Sequence, residues 1–204
     1  MSNETKIFLG IIIITIIAIV GGAFLFSQPT KTINPEILSP NTAWATGSAT
    51  PKSTLVEFSD YECPACKQVK PIVNEIISKY SAKGLRFVYR HFPLPQHKYA
   101  IKAAATAEAA GKQGKFWEMG DLLFDRQSEL SDDLFPKLAT ELKLDVDQFS
   151  KDQISQETNK RIGDDTAAGN QVGINATPTF FLNGVKVNLK SFGELEVAVA
   201  DSLK

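Results

Sequence analysis

The sequence predicts an α/β layer fold whose small sheet is divided by an inserted helical lobe, preceded by one N-terminal transmembrane helix. Three observations carry this. Strand-like runs lie in two separated places, residues 54–59 with 85–91 and later residues 179–187. The chain between them shows only helical periodicity. An amino-terminal run over residues 7–26 contains no charged residue.

The whole chain sets the bounds. With 204 residues it has room for one sizeable domain. It is 43% apolar and 22% charged, as globular proteins are. A net charge of −1 argues against a nucleic-acid partner, because phosphate binding needs a basic face.

Residues 1–6 read as a short tail and residues 7–26 (IFLGIIIITIIAIVGGAFLF) as the membrane anchor. At 1.5 Å per residue, such a run spans roughly 30 Å, the thickness of a bilayer core. The alternative is a cleavable signal peptide, whose apolar stretch is shorter and ends at small residues. The Gly21-Gly22-Ala23-Phe24 context fits that poorly. Lys6 before the span favours an inside amino terminus, leaving the domain outside. Residues 27–50, with Pro29, Pro35 and Pro40 among Ser, Thr and Asn, read as a tether to a domain over residues 51–204.

Residues 54–59 form the first strand. The helix after it carries Val69, Ile72, Val73, Ile76, Ile77 and Tyr80 at helical spacing, so one face is buried. Pro71 inside it removes one backbone hydrogen bond and predicts a kink. Lys83-Gly84 marks its end, with Gly84 left-handed. Residues 85–91 alternate as a second strand. A helical insertion over about 96–171 follows. It holds an alanine-rich helix over residues 99–111, an aromatic-rich helix over 115–126, a helix capped by Ser131, and a polar, interrupted helical stretch over 147–170. Residues 179–182 then return as strand. Asn183-Gly184 is a strong hairpin signal, with Val185-Lys186-Val187 beyond it. Ser191 to Glu194 reads as a capping box opening the last helix.

The chemistry lies in the chain's only two cysteines, Cys63-Pro64-Ala65-Cys66, placed where the first strand gives way to a helix. A Cys-x-x-Cys pair there is a redox dithiol motif. The first thiol stands among free helix N–H groups, which stabilise a thiolate. No third cysteine is present, so the pair must react with something outside this chain.

Phe58-Ser59-Asp60-Tyr61-Glu62-Cys63-Pro64-Ala65-Cys66, Pro71, His91-Phe92-Pro93-Leu94, Gly114-Lys115-Phe116-Trp117 and Ala176-Thr177-Pro178-Thr179-Phe180-Phe181-Leu182-Asn183-Gly184 together resemble the DsbA-like branch of the thioredoxin superfamily. The resemblance covers about residues 50–204. It implies a thioredoxin-like fold with a helical insertion. It also implies an exposed attacking Cys63, a buried resolving Cys66, and a cis Pro178 facing the dithiol, with Thr177 offering backbone atoms to an extended substrate. Glu57 would be a buried acid handling the proton of Cys66. Pro64-Ala65 stands where the best-known oxidases have Pro-His, so this thiolate lacks a histidine's support.

The resemblance further implies an extracytoplasmic thiol–disulfide oxidoreductase on the cell membrane. It would need no cofactor or metal beyond its Cys63–Cys66 disulfide. Its partners would be unfolded or reduced proteins and a membrane re-oxidising or reducing partner, and the uncharged run over residues 7–26 adds the lipid bilayer. Disulfides persist outside the cytosol, which suits this compartment. Only a thiolate attacks a disulfide, and a free thiol with pKa near 8.5 is mostly protonated at neutral pH. Helix N-termini lower that value to roughly 3.5–7.5, a range that members of this superfamily themselves define. A fall of three units would favour the reduced, ionised form by ~4 kcal/mol and make the disulfide a stronger oxidant.

Other readings stand beside these. The cysteines could form a structural disulfide, or join His91 and His97 in a zinc site. The protein would then be a metal carrier or tethered binding module. Reductase or disulfide isomerase activity uses the same dithiol. Glu57 could face outward, since strand residues alternate. Pro178 could be an ordinary trans turn proline. Trp117 reads as core, Asp60, Tyr61 and Glu62 as loop residues, and Lys160-Arg161 as a solvated face.

Overall fold

The computed structural model describes residues 12–18 and 32–204. The chain divides into two units, Met1–Lys31 and Thr32–Lys204. In the first, residues 12–18 are helical with exposed isoleucines. The remainder of the anchor expected over 7–26 lies outside the described residues, as do residues 1–6. No helix among the described residues is long and apolar enough to cross a membrane.

The second unit begins earlier than the sequence suggests. Within the stretch read as a tether, Pro35–Leu38 (α1) and Trp44–Gly47 (β1) belong to this unit. Asn34 caps α1 by accepting from the Glu36 N–H at 3.0 Å. The remaining strands are Ser53–Ser59 (β2), Leu85–His91 (β3), Thr179–Leu182 (β4) and Val185–Lys186 (β5). They form one sheet ordered β1-β3-β2-β4-β5, in which β2 and β3 run parallel and the other pairs antiparallel. The Asn183-Gly184 turn joins β4 to β5, with φ of 50° and 83° as a primed hairpin turn requires.

Both faces of the sheet are covered. Leu55, Phe87 and Tyr89 face one core with Val69, Val73 and Ile76 of the helix Pro64–Tyr80 (α2), and with Leu195 and Val199 of the helix Gly193–Ser202 (α8). Val56, Phe58, Val88 and Phe181 face a second core with Leu38 and Phe92. Strand alternation therefore moves a side chain from one core to the other rather than into water. This is why the outward-facing alternative for Glu57 does not hold, and Glu57 is 4% exposed. The helical assignment of α2 runs through Pro71 without interruption. Gly84 ends the following turn at φ 105°, in the left-handed region expected of it.

The inserted lobe contains Ala100–Lys112 (α3), Phe116–Asp125 (α4), Leu134–Glu141 (α5), Val146–Gln153 (α6) and Gln156–Gln171 (α7). The alanines of α3 are buried on most of its circumference, because α4, α6 and α7 all pack against it. Asp145 and Ser155 cap α6 and α7. Ser131 is not the side-chain cap of α5. Its carbonyl accepts from the Leu134 N–H, and Asp133 occupies the cap position. The last helix likewise starts two residues after Ser191, with the Glu194 carboxylate accepting from the Lys190 N–H at 2.9 Å.

Two polar contacts fasten the amino-terminal segment and the lobe to the sheet. Trp44 of β1 stacks on Phe116 at 4.3 Å and donates to Glu108 at 2.7 Å. Arg90 of β3, 2% exposed, pairs with Asp165 of α7 at 2.6 Å and donates to the carbonyls of Ile37 and Leu38. The second Asp165 oxygen accepts from the His91 N–H. A buried charge is tolerated only when paired and hydrogen-bonded, and this one is both.

Candidate active site

Cys63 occupies the N-cap of α2, with Pro64 at the first helical position. A proline fits there because that N–H would have no helical partner. Cys66 follows in the first turn and is fully buried. Cys63 is only 6% exposed, so the attacking sulfur is less open than the resemblance implies. Two neighbours close over it. The Cys63 thiol donates to the Thr177 carbonyl at 3.3 Å. Gln127, in a 3₁₀ turn after α4, donates to the carbonyls of Tyr61 and Cys63 at 2.8 and 3.0 Å. The Thr177–Pro178 peptide is cis. Pro178 also lines a groove of about 270 Å³ with Phe180, Val187, Leu189 and Phe192.

The two sulfurs are driven in opposite directions. The Cys63 thiol is lowered from 9.0 to about 5. The largest cause is donation from the Cys66 thiol. Burial opposes it, and the backbone N–H groups of Cys66 and Ala65 add to it. Thus Ala65 contributes its backbone rather than its side chain. Burial pushes the Cys66 thiol up, and its bond to Cys63 and the nearby Glu57 charge push it further. A nucleophile and a withheld partner therefore stand one helical turn apart.

Beneath them, burial raises the Glu57 carboxyl from 4.5 to about 7. Ser59 and Lys70 oppose this shift, and the Cys63 charge reinforces it. Burial alone is the first cause, as for any carboxyl in an apolar site.

The loop residues before the dithiol have structural tasks. Asp60 is buried and accepts from the backbone N–H of Glu62 and Leu94 and from His97 Nδ1, at 2.7–2.8 Å. Glu62 accepts from the Tyr99 N–H at the start of α3. His91 is bonded to Glu108 at 2.9 Å. Each histidine in the proposed zinc set is thus paired with a carboxylate. Among the described residues, no group of three or more His, Cys, Asp or Glu could hold a metal ion. Trp117 packs against the main core as expected.

Sequence reasoning missed Gln127, Ser59 and Lys70. Gln127 lies 64 residues from the carbonyl it clamps, and no local pattern reports such a pairing. Ser59 does carry a local signal, since it follows Glu57 by two residues on a strand and so shares its face.

The thioredoxin family pattern matches residues 39–201. The chain is 43% identical over 132 residues to the Na(+)/H(+) antiporter NhaA 3 of Salinispora tropica, covering 64% of this chain and 20% of that protein. It therefore spans about a fifth of the length of that curated relative. A thioredoxin-like oxidoreductase from Silicibacter pomeroyi superposes with TM-score 0.71 at 28% identity, covering 83% of this chain and 97% of the other. Pseudomonas aeruginosa DsbA2 superposes with TM-score 0.63 at 27% identity, covering 78% and 93%.

Proposed function

From the premise that this chain belongs to the thioredoxin family, as a DsbA-like thiol–disulfide oxidoreductase, we propose that it works outside the cytosol and donates its Cys63–Cys66 disulfide to reduced protein substrates. The observation that carries this is the opposed setting of the two thiols at the start of α2, Cys63 low and Cys66 high. A substrate thiolate attacks Cys63 of the disulfide, and Cys66 leaves. A second substrate thiolate then resolves the mixed disulfide, and Cys63 leaves as thiolate. The protein ends as a dithiol, and a membrane re-oxidising partner restores it. No other cofactor takes part.

The thiolate supports this direction. With Cys63 near 5, its ionised form is favoured at pH 7 by 7 − 5 = 2 units. At 1.36 kcal/mol each this is about 3 kcal/mol, and about half that after solvent screening at the mouth of the site. It raises the potential by roughly 30–60 mV over an unperturbed dithiol. The groove beside Pro178, with Lys186 and Asn188 among its apolar side chains, suits an extended, unfolded peptide. Residues 7–26 would hold the domain at the membrane, with the sheet unit on the outer side. The antiporter named among the relatives is several times longer than this chain, and its transport activity is not assigned to these residues.

The test is equilibration of the full chain with glutathione buffers. A potential above about −200 mV is expected, and one near the −270 mV of reducing thioredoxins overturns the direction of flow. In that event the same site serves as a reductase or isomerase. Stoichiometric bound metal without thiol exchange would instead make the protein a carrier.

A further inference from the structure

Every residue of the loop from Asp60 to Cys63 is fastened to the inserted lobe or to the segment entering it. Asp60 accepts from the Leu94 N–H and from His97. The Tyr61 ring lies 4.9 Å from that of Phe124 in α4. A Cβ added at Gly120 would stand 3.2 Å from the Tyr61 hydroxyl oxygen, so this glycine lets α4 lie close against the loop. Glu62 accepts from the Tyr99 N–H at the start of α3. Tyr61 and Cys63 share one further partner, Gln127. The dithiol thus takes its place from the lobe as well as from the sheet.

Gln127 opens the 3₁₀ turn after α4. Its side-chain amide nitrogen carries two donors, and it gives one to the Tyr61 carbonyl at 2.8 Å and one to the Cys63 carbonyl at 3.0 Å. Among the described residues, the Tyr61 carbonyl has no other donor, and Tyr61 is buried. A buried carbonyl without a partner is costly, so the amide and the loop are bound to move together. The other bonds of the Cys63 main chain, among the described residues, stay within its own loop and helix. Its N–H donates to the Asp60 carbonyl at 3.1 Å, and its carbonyl accepts from the Lys67 N–H at 3.2 Å. Those local bonds shape the helix start, and Gln127 sets where that start lies against the lobe. Lys67 with the Asp125 carbonyl at 3.2 Å, and Lys70 with Asp121 at 2.7 Å, also join α2 to α4, but nearer solvent, where such contacts hold less firmly.

We propose that Gln127 is a positioning residue for disulfide exchange, clamping the main chain on both sides of Glu62 so that the Cys63 sulfur stays in line between Cys66 and the outer sulfur. This role rests on the exchange reaction proposed above. Gln127 bonds carbonyls, so the Cys63 side chain can still turn between its two sulfur partners while its Cα stays fixed. Alignment matters because exchange passes through three sulfurs, and a misplacement of about 1 Å can cost roughly 100-fold in rate. In the donating direction the substrate thiolate bonds the Cys63 sulfur, the Cys63–Cys66 bond breaks, and its electron pair leaves on Cys66. In the return direction the Cys66 thiolate bonds the Cys63 sulfur, the bond to the outer sulfur breaks, and that sulfur takes the pair. Gln127 forms and breaks no covalent bond in either.

The test uses the reduced full chain with 2,2′-dipyridyl disulfide, which releases a light-absorbing thione in acid as well as neutral solution. Attack by Cys63 releases one thione, and attack by Cys66 on the resulting mixed disulfide releases the second. Gln127→Met keeps the length of the side chain and removes the donor. Its second release should slow by about 10–100-fold, while the first, made with a small reagent arriving from outside, stays within about threefold of wild type. Gln127→Glu keeps the shape and offers a donor only while its carboxyl is protonated. Its second release should match wild type at about pH 3.5 and fall towards the Gln127→Met rate by about pH 6, on either side of the ordinary glutamate value of about 4.3. A role in folding alone would lower the stability of both variants without that pH signature. Three results overturn the assignment: a second release in Gln127→Met within about twofold of wild type, both releases slowed equally, or a ratio of Gln127→Glu to wild type that does not change with pH. Gln127→Glu carries the test on its own where Gln127→Met does not fold. Neither release depends on the direction of net flow, which the glutathione equilibrium reads. A wild type without any second release would instead refute the exchange reaction itself.

Discussion

Replacing Glu57 with Gln tests whether the acid beneath the dithiol is held protonated by its burial. Its carboxyl is raised from 4.5 to about 7. Between those values the folded chain binds this proton more tightly than the unfolded chain. Folding stability from this group is therefore full below 4.5, falls as pH rises to 7, and is flat beyond. The gap is 7 − 4.5 = 2.5 units, or about 3 kcal/mol at 1.36 kcal/mol per unit. Gln keeps the shape without the charge. Glu57→Gln should thus match wild type near pH 4.5 and exceed its stability by about 3 kcal/mol at pH 8. In a domain of this size that corresponds to a melting temperature higher by roughly 6–12 °C. Cys63 has the opposite sign. Its lowered value gives stability that is full above about 9 and is lost as pH falls through about 5. It is present in both proteins, so it largely cancels in their difference. Urea unfolding of the reduced full chain, followed by the fluorescence of Trp44 and Trp117 at pH 5, 6, 7 and 8, measures that difference. An offset that does not change with pH, or a variant less stable than wild type at pH 8, refutes the reasoning.

Further outcomes follow from the same geometry. Cys66→Ser leaves Cys63 without its resolving partner, so covalent complexes with cellular thiols should accumulate on non-reducing gels and vanish in Cys63→Ser. Arg90→Met strands Asp165 and the Ile37 and Leu38 carbonyls, so it should cost about 3–5 kcal/mol in denaturant unfolding. Adding Asp165→Leu should recover part of that loss, because the uncompensated charge is then gone.

The dithiol, the strands β2 and β3, and the hairpin at Asn183-Gly184 were legible because each is written locally. A strand-to-helix junction, a period of two, and a two-residue turn all fit within a short window. The cis Thr177–Pro178 bond was legible only through the family resemblance, since its neighbours in space are far away in the chain. The stretch over 27–50 misled because its prolines and hydroxyl residues look like a linker. What fixes α1 and β1 to the domain is Arg90, Glu108 and Phe116, which lie well downstream. Glu57 could not be placed by alternation, because alternation distinguishes core from water only when one face of a sheet is wet. The Gln127 clamp and the Lys70–Asp121 pair arise from packing the lobe against α2, and neither leaves a periodic trace.

The most direct measurement is an ultraviolet titration of the Cys63 thiolate in the reduced full chain, with Cys66 intact. A single ionisation centred near 5 is predicted from the Cys66 donor and the helix-start N–H groups. A midpoint close to 8.5, that of a free thiol, would contradict it and with it the division of labour between the two sulfurs.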